Sequence, residues 1–212
     1  MVTINGKSNA FYNCNHIHTE ISDANPKRYS VEIPLRDGDL DLTDLMSSMV
    51  FFENREIEIG LELRAERQYW PEIHSQLMHD FNGKEVEVVF DEDMLWLWRG
   101  HAVVSAIDDH GSTCGITITV NANPFKRKRA LRRVFSGTIS GDQTVTFNVY
   151  GDRGWLTITT DAANYTITYD GETWTLPEGA SSAFGLVLPS GNSTITLHGS
   201  GDVTVDLEEG IL

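Results

Sequence analysis

The chain has only two cysteines, Cys14 and Cys114, and no Cys-x-x-Cys pair. A structural zinc held by paired thiolates is therefore not expected. The two thiols stand a hundred residues apart and are expected to be reduced, as suits a protein made in the cytoplasm. Basic residues are scarce: 16 Lys and Arg face 31 Asp and Glu, for a net charge of −15. Phosphates are repelled across most of such a surface, which disfavours a sequence-independent grip on nucleic acid. No apolar run approaches the roughly 18 residues that a membrane-spanning helix needs. The opening MVTINGKSNA lacks the charged-then-apolar signal pattern, so export by a signal peptide is not expected. No G-x-S-x-G, phosphate loop or H-E-x-x-H occurs. No catalytic residue, cofactor or metal site is expected.

What is present reads first as a β–α–β unit between Asp39 and Phe125. Trp70, Ile73, Leu77 and Phe81 recur at spacings of three to four, which places them on one face of a helix. Pro71 fits the first turn, where a missing N–H is tolerated. Asn82-Gly83 follows the last apolar residue, as a left-handed C-cap requires. About three turns long, the helix cannot stand alone in water and must pack on a sheet. Residues 56–63 and 84–90 alternate strictly between polar and apolar, the period of strands with one wet face. Residues 96–104 and 115–121 resume as strands, with a turn at Asp91–Asp93 and a hairpin turn at 108–111. The alternating strands at 56–63 and 84–90 offer edges that would pair across subunits.

Charge divides the chain. Residues 1–125 are net −12, the run KRKRALRR at 126–133 is +6, and residues 134–212 are net −9. The expected organisation is a domain at 1–125, a basic linker at 126–133 and a second domain at 134–212. Lys/Arg runs of this length can mark RNA, DNA or membrane contacts. In a protein this acidic, the favoured reading is a solvated segment whose charges offset its own flanking domains. After Val134 helix formers almost vanish. Strands are expected at 143–149, 155–160, 165–169, 172–176, 182–188, 193–198 and 203–207, with turns at 151–154, 161–164 and 199–202. Such spacing reads as an antiparallel sandwich.

Side chains that carry chemistry are few. His16 and His18 alternate along an extended segment and would share a face, but no further ligand completes a metal pattern. His74 and His79 are five apart and read as surface residues. Asp91, Glu92 and Asp93 crowd one turn and do not oppose one another across a cleft, as glycosidase carboxylates must. Trp155 and Trp174 are the candidates for stacking on a pyranose ring, with packing of the sandwich as the competing role.

In order along the chain, Ile4-Asn5-Gly6-Lys7, the run YSVEIPLRDGDLDL at 29–42, Asn54-Arg55-Glu56, Trp70 to Gly83-Lys84, and Trp98-Arg99-Gly100 with Asn123-Pro124-Phe125 form a collinear set. The set resembles the distal tail proteins of long-tailed, siphovirus-type phages and prophages of Gram-positive bacteria. Asn82 stands where that family commonly has a histidine. The resemblance implies a mainly β protein: an N-terminal β-sandwich with one α-helix that forms a ring, and a C-terminal galectin-like antiparallel β-sandwich. It also implies a structural, non-enzymatic role. A hexameric ring would sit at the distal end of the tail in the virion, join the tail tube protein to the baseplate or tail tip, and leave a central channel for DNA. Its partners would be further copies of itself, the tail tube protein, tail-tip proteins and receptor-binding or other baseplate proteins. In that setting the basic run could also meet an acidic face of a neighbouring subunit. No membrane and no sequence-specific nucleic acid is expected as a partner. The sugar-contacting His, Asn and Arg set of galectins is not present in its usual order. The alternative function is a carbohydrate-binding module for host cell-wall saccharides, with Trp155 and Trp174 as its contacts.

Overall fold

The computed structural model describes residues 1–34, 37–43, 49–111, 113–162, 165–182 and 186–212. These form two compact units, Met1–Pro124 and Phe125–Leu212. The chain is mainly β and antiparallel, as the alternating pattern predicts.

In the first unit, β1 (Val2–Ile4), β2 (Lys7–Ser8) and β3 (Cys14–Ile21) precede a short hairpin of β4 (Ser30–Val31) and β5 (Leu40–Asp41). Then follow β6 (Arg55–Leu63), the helix Trp70–Phe81, β7 (Glu85–Phe90), β8 (Trp96–Val104), β9 (Asp108–Asp109) and β10 (Cys114–Ala122). The main sheet runs β3-β6-β10-β8-β7-β1-β2. Alternate residues of β6 and β10 point inward, so Ile57, Ile59, Leu61, Ile116, Ile118 and Val120 fill the core. The helix lays Trp70, Leu77 and Phe81 into the same core, with Ile73 half-buried beside them. The spacing prediction for the helix is met. Its exit differs in detail. Gly83 does adopt φ +71°, but its N–H donates to Ala102 of β8 at 2.8 Å rather than back into the helix.

The second unit comprises β11 (Lys126–Lys128), β12 (Arg132–Thr160), β13 (Tyr165–Tyr169), β14 (Glu172–Leu176), β15 (Gly179–Ser182) and β16 (Leu188–Ile211). A long ribbon, residues 132–149 against 191–207, is common to both halves of this unit. One half adds β13 and β14 beside residues 196–198; the other adds 153–160 beside 203–210, with β15 paired to 157–160. Apolar residues from both halves share one core.

Two expected turns are corrected. Residues 151–154 are an irregularity within β12, where the register shifts between Val149 and Arg153. Residues 199–202 stay inside β16, bending through Gly199 and Gly201 at φ +151° and +129°. Bends of this kind let one strand serve two sheets. Of the strand expected at 182–188, Ser182 closes β15 and Leu188 opens β16. Residues 183–185 lie outside the described residues, as do 35–36 in the YSVEIPLRDGDLDL run, 44–45 just after it, and 163–164 in the turn after β12.

Candidate functional site

β6 and β7 do not offer the free edges expected of them. β6 lies between β3 and β10, and β7 between β1 and β8. Alternation reveals a wet face but not a strand's neighbours, and the first 21 residues return to cover both. Among the described residues, β3 is the long strand with one ladder. A bulge at Ile17 interrupts it, a device that blunts edges against unwanted pairing.

The same bulge corrects the histidine reading. His16 pairs with inward-facing Leu61, while His18 pairs with Gly60, whose outer face its imidazole covers. One extra residue thus sends the two rings to opposite faces. His16 bonds Thr19 Oγ1 at 2.7 Å, and burial holds its pKa below the ordinary value. His18 approaches Glu58 at 3.9 Å. Asp91–Asp93 form a single 3-10 turn, so their carboxylates spread outward.

Between β3 and β6 the chain makes a long excursion, residues 22–54. Its backbone pairs with itself: Lys27 N–H to Phe51 O at 2.8 Å, Glu53 N–H to Asn25 O at 2.8 Å, Leu42 N–H to Tyr29 O at 2.7 Å. None of its described residues is buried, and Tyr29, Val31, Val50 and Phe51 are exposed. Exposed apolar side chains gathered on one segment make it a candidate interaction surface.

The basic run folds onto acidic residues of its own unit. β11 pairs with residues 210–211 at the end of β16. Arg127 meets Glu208 at 2.5 Å, Arg133 meets Asp206 at 2.9 Å, and Lys128 and Arg132 flank Glu209 at 3.6 and 3.2 Å. Four of its six cations are thus neutralised by β16, as an acidic protein attracting its own basic segment predicts.

Trp155 and Trp174 are not brought together. Trp155 stands opposite Glu208 in one half of the second unit, and Trp174 opposite Ile167 in the other. The Arg127 guanidinium lies 4.2 Å from the centre of the Trp155 ring, and Phe125 meets that ring edge-on at 5.9 Å. Trp174 is half-buried and packs on the core.

No family model and no curated protein matches this sequence. Solved structures do. The SPP1 Dit (gp 19.1) protein, described as a paradigm of the hub adsorption apparatus in phages infecting Gram-positive bacteria, aligns with TM-score 0.59. The alignment covers 100% of this chain and 98% of that one, at 14% identity. The fold is that of SPP1 Dit. A chain of the phage p2 baseplate in its activated conformation with Sr aligns with TM-score 0.39 at 8% identity, over 92% of this chain and 90% of that one. The resemblance read from the collinear segments is therefore borne out in the fold, along the whole chain.

Sequence reasoning missed the cleft at the start of β3, lined by Asn13, Asn15, His16 and Arg64, about 320 Å³ in volume. Its lining draws on the first sixteen residues together with Arg64, and carries no motif. The only local signal is Asn13, which holds the left-handed conformation that asparagine tolerates.

Proposed function

We propose that this chain is a structural hub of a phage tail, assembling as a hexameric ring at the distal end between the tail tube and the baseplate or tip. The ring would leave a central channel for DNA, and its outer surface would dock tail-tip and receptor-binding proteins. The observation that carries this reading is end-to-end fold agreement with SPP1 Dit, a protein described as a hub of the adsorption apparatus. The excursion at 22–54 supports it, because exposed apolar residues gathered on one segment favour contact with another chain. A ring requires a heterologous contact, in which one patch of each copy meets a different patch of the next. A structural part of this kind needs no catalytic group, cofactor or metal.

Light scattering behind a sizing column tests the assembly. A particle near six times 23.7 kDa, with a ring in negative stain, supports the reading. A monomer at every attainable concentration overturns it and favours the saccharide-binding alternative, which a glycan screen would then examine.

A further inference from the structure

Two features of the first unit lie at opposite ends of the β3–β6 pair. At one end Arg64 N–H donates to Asn13 O at 2.9 Å, and the cleft opens beside them. At the other end Ser22 N–H donates to Glu56 O at 2.9 Å, and the excursion begins. The eight residues of β3 between them span roughly 26 Å at about 3.3 Å per residue.

The two features are complementary in charge. No carboxylate lines the cleft. Arg64 is exposed there, and its guanidinium has no hydrogen bond or ion pair among the described residues. The carboxamides of Asn13 and Asn15 supply further donors at its wall. At the far end of the excursion, Asp37 and Asp39 flank Gly38, which turns the chain at φ +73°. Both aspartates are exposed and have no partner among the described residues, whereas Asp41 already accepts the N–H of Thr43 at 2.9 Å. A carboxylate is the ligand a guanidinium fork fits best.

We propose that Asp37 and Asp39 of one copy seat in the Asn13–Arg64 cleft of the next copy. This inference rests on the ring reading and names a contact for it. Tip and cleft are different patches on one chain, so their meeting is heterologous and propagates from copy to copy. The contact is ionic and exposed at its rim, so it weakens as salt rises.

Charge reversal tests it. Four proteins are compared by light scattering over a concentration series: wild type, Arg64→Glu, the pair Asp37→Lys with Asp39→Lys, and a chain carrying all three changes. Every altered side chain is exposed, and circular dichroism melts verify folding. The expected result is a wild-type ring, assembly shifted at least about tenfold to higher concentration in the first two variants, and recovery in the third. The contact is overturned if Arg64→Glu assembles like wild type, or if the combined chain does no better than its parents. A wild-type protein that never self-associates instead removes the ring reading beneath it, so the two failures are distinct.

Discussion

Glu209 holds Arg132 at 3.2 Å while remaining only 2% exposed. The same Oε1 accepts the N–H of Tyr150 at 2.9 Å, and Lys128 approaches the other oxygen at 3.6 Å. A buried carboxylate is tolerable because several donors converge on it. Glu209→Ala takes a shared acceptor from two cations and a backbone N–H, leaving Arg132 only the Asn148 carbonyl, and should cost about 3 kcal/mol or more in the stability of the second unit. Arg132→Ala should cost less, since Arg132 is half exposed and Lys128 still faces the carboxylate. Urea denaturation followed by tryptophan fluorescence compares the variants. Equal midpoints for Glu209→Ala and wild type would refute the clasp.

A second dependence sits where β16 bends. The buried ring of Tyr165 packs over Gly199, and its hydroxyl donates to Asp161 Oδ1 at 2.9 Å. A Cβ at Gly199 would lie 2.4 Å from Tyr165 Cδ1, at a backbone φ of +151° that side chains rarely adopt. Gly199→Ala should therefore destabilise the second unit by about 3 kcal/mol, combining overpacking with backbone strain. Tyr165→Phe removes only a hydrogen bond and should cost about 1 kcal/mol. Thermal melts should rank them in that order. Burial and Asp161 push the Tyr165 phenol up to about 12, so its contribution is complete below the ordinary tyrosine value and is lost as pH rises from there through about 12.

Local pattern and non-local geometry divided in what the sequence could disclose. The helix was legible because Trp70, Leu77 and Phe81 announce one face within twelve residues. The turn between β13 and β14 falls on Asp170-Gly171, residue types suited to the positive φ that both adopt there, +48° and +81°. The Ile17 bulge was not, since one inserted residue leaves the alternation of β3 looking intact while reversing His18. The strand neighbours of β6 were hidden because pairing partners lie up to 67 residues away, as Arg55 and Ala122 do. Gly199 and Gly201 look like turn residues in a string, and only the ring of Tyr165 explains why they sit within a strand. The cleft at Arg64 depends on tertiary folding alone.

The two thiols offer a direct test of the sheet register. Cys14 stands opposite Leu63 on one side of β6, and Gly115 stands opposite Glu62 on the other. Cys14 and Cys114 therefore flank Leu63 from either side, about 10 Å apart across two strand spacings. A disulfide needs Cα atoms closer than about 7 Å, so none should form. Both thiols are buried, and burial pushes Cys14 up to about 12. Thiol reagents should label neither residue in the native protein at pH 8 and both in denaturant. Mass spectrometry of non-reduced peptides showing a Cys14–Cys114 link would contradict the register.

Acid should loosen the first unit through Asp80. Its Oδ2 accepts from Lys7 Nζ at 2.7 Å and from Tyr12 Oη at 2.5 Å, joining the helix to the opening strands and turn. These two hydrogen bonds, with that from Lys7 the larger influence, hold the Asp80 carboxyl below the ordinary carboxylate value. A depressed folded-state value means the stabilisation is complete above the ordinary carboxylate range and is lost as pH falls through the lowered one. Asp80→Asn keeps the shape but removes the charge, and should lower stability by about 1–2 kcal/mol near neutrality. At pH 2.5 that difference should be smaller, because the unfolded chain then takes up a proton that the folded carboxyl still resists. Paired melts at pH 7 and pH 2.5 measure both gaps. An equal gap at the two pH values would show that Asp80 acts by shape and not by charge.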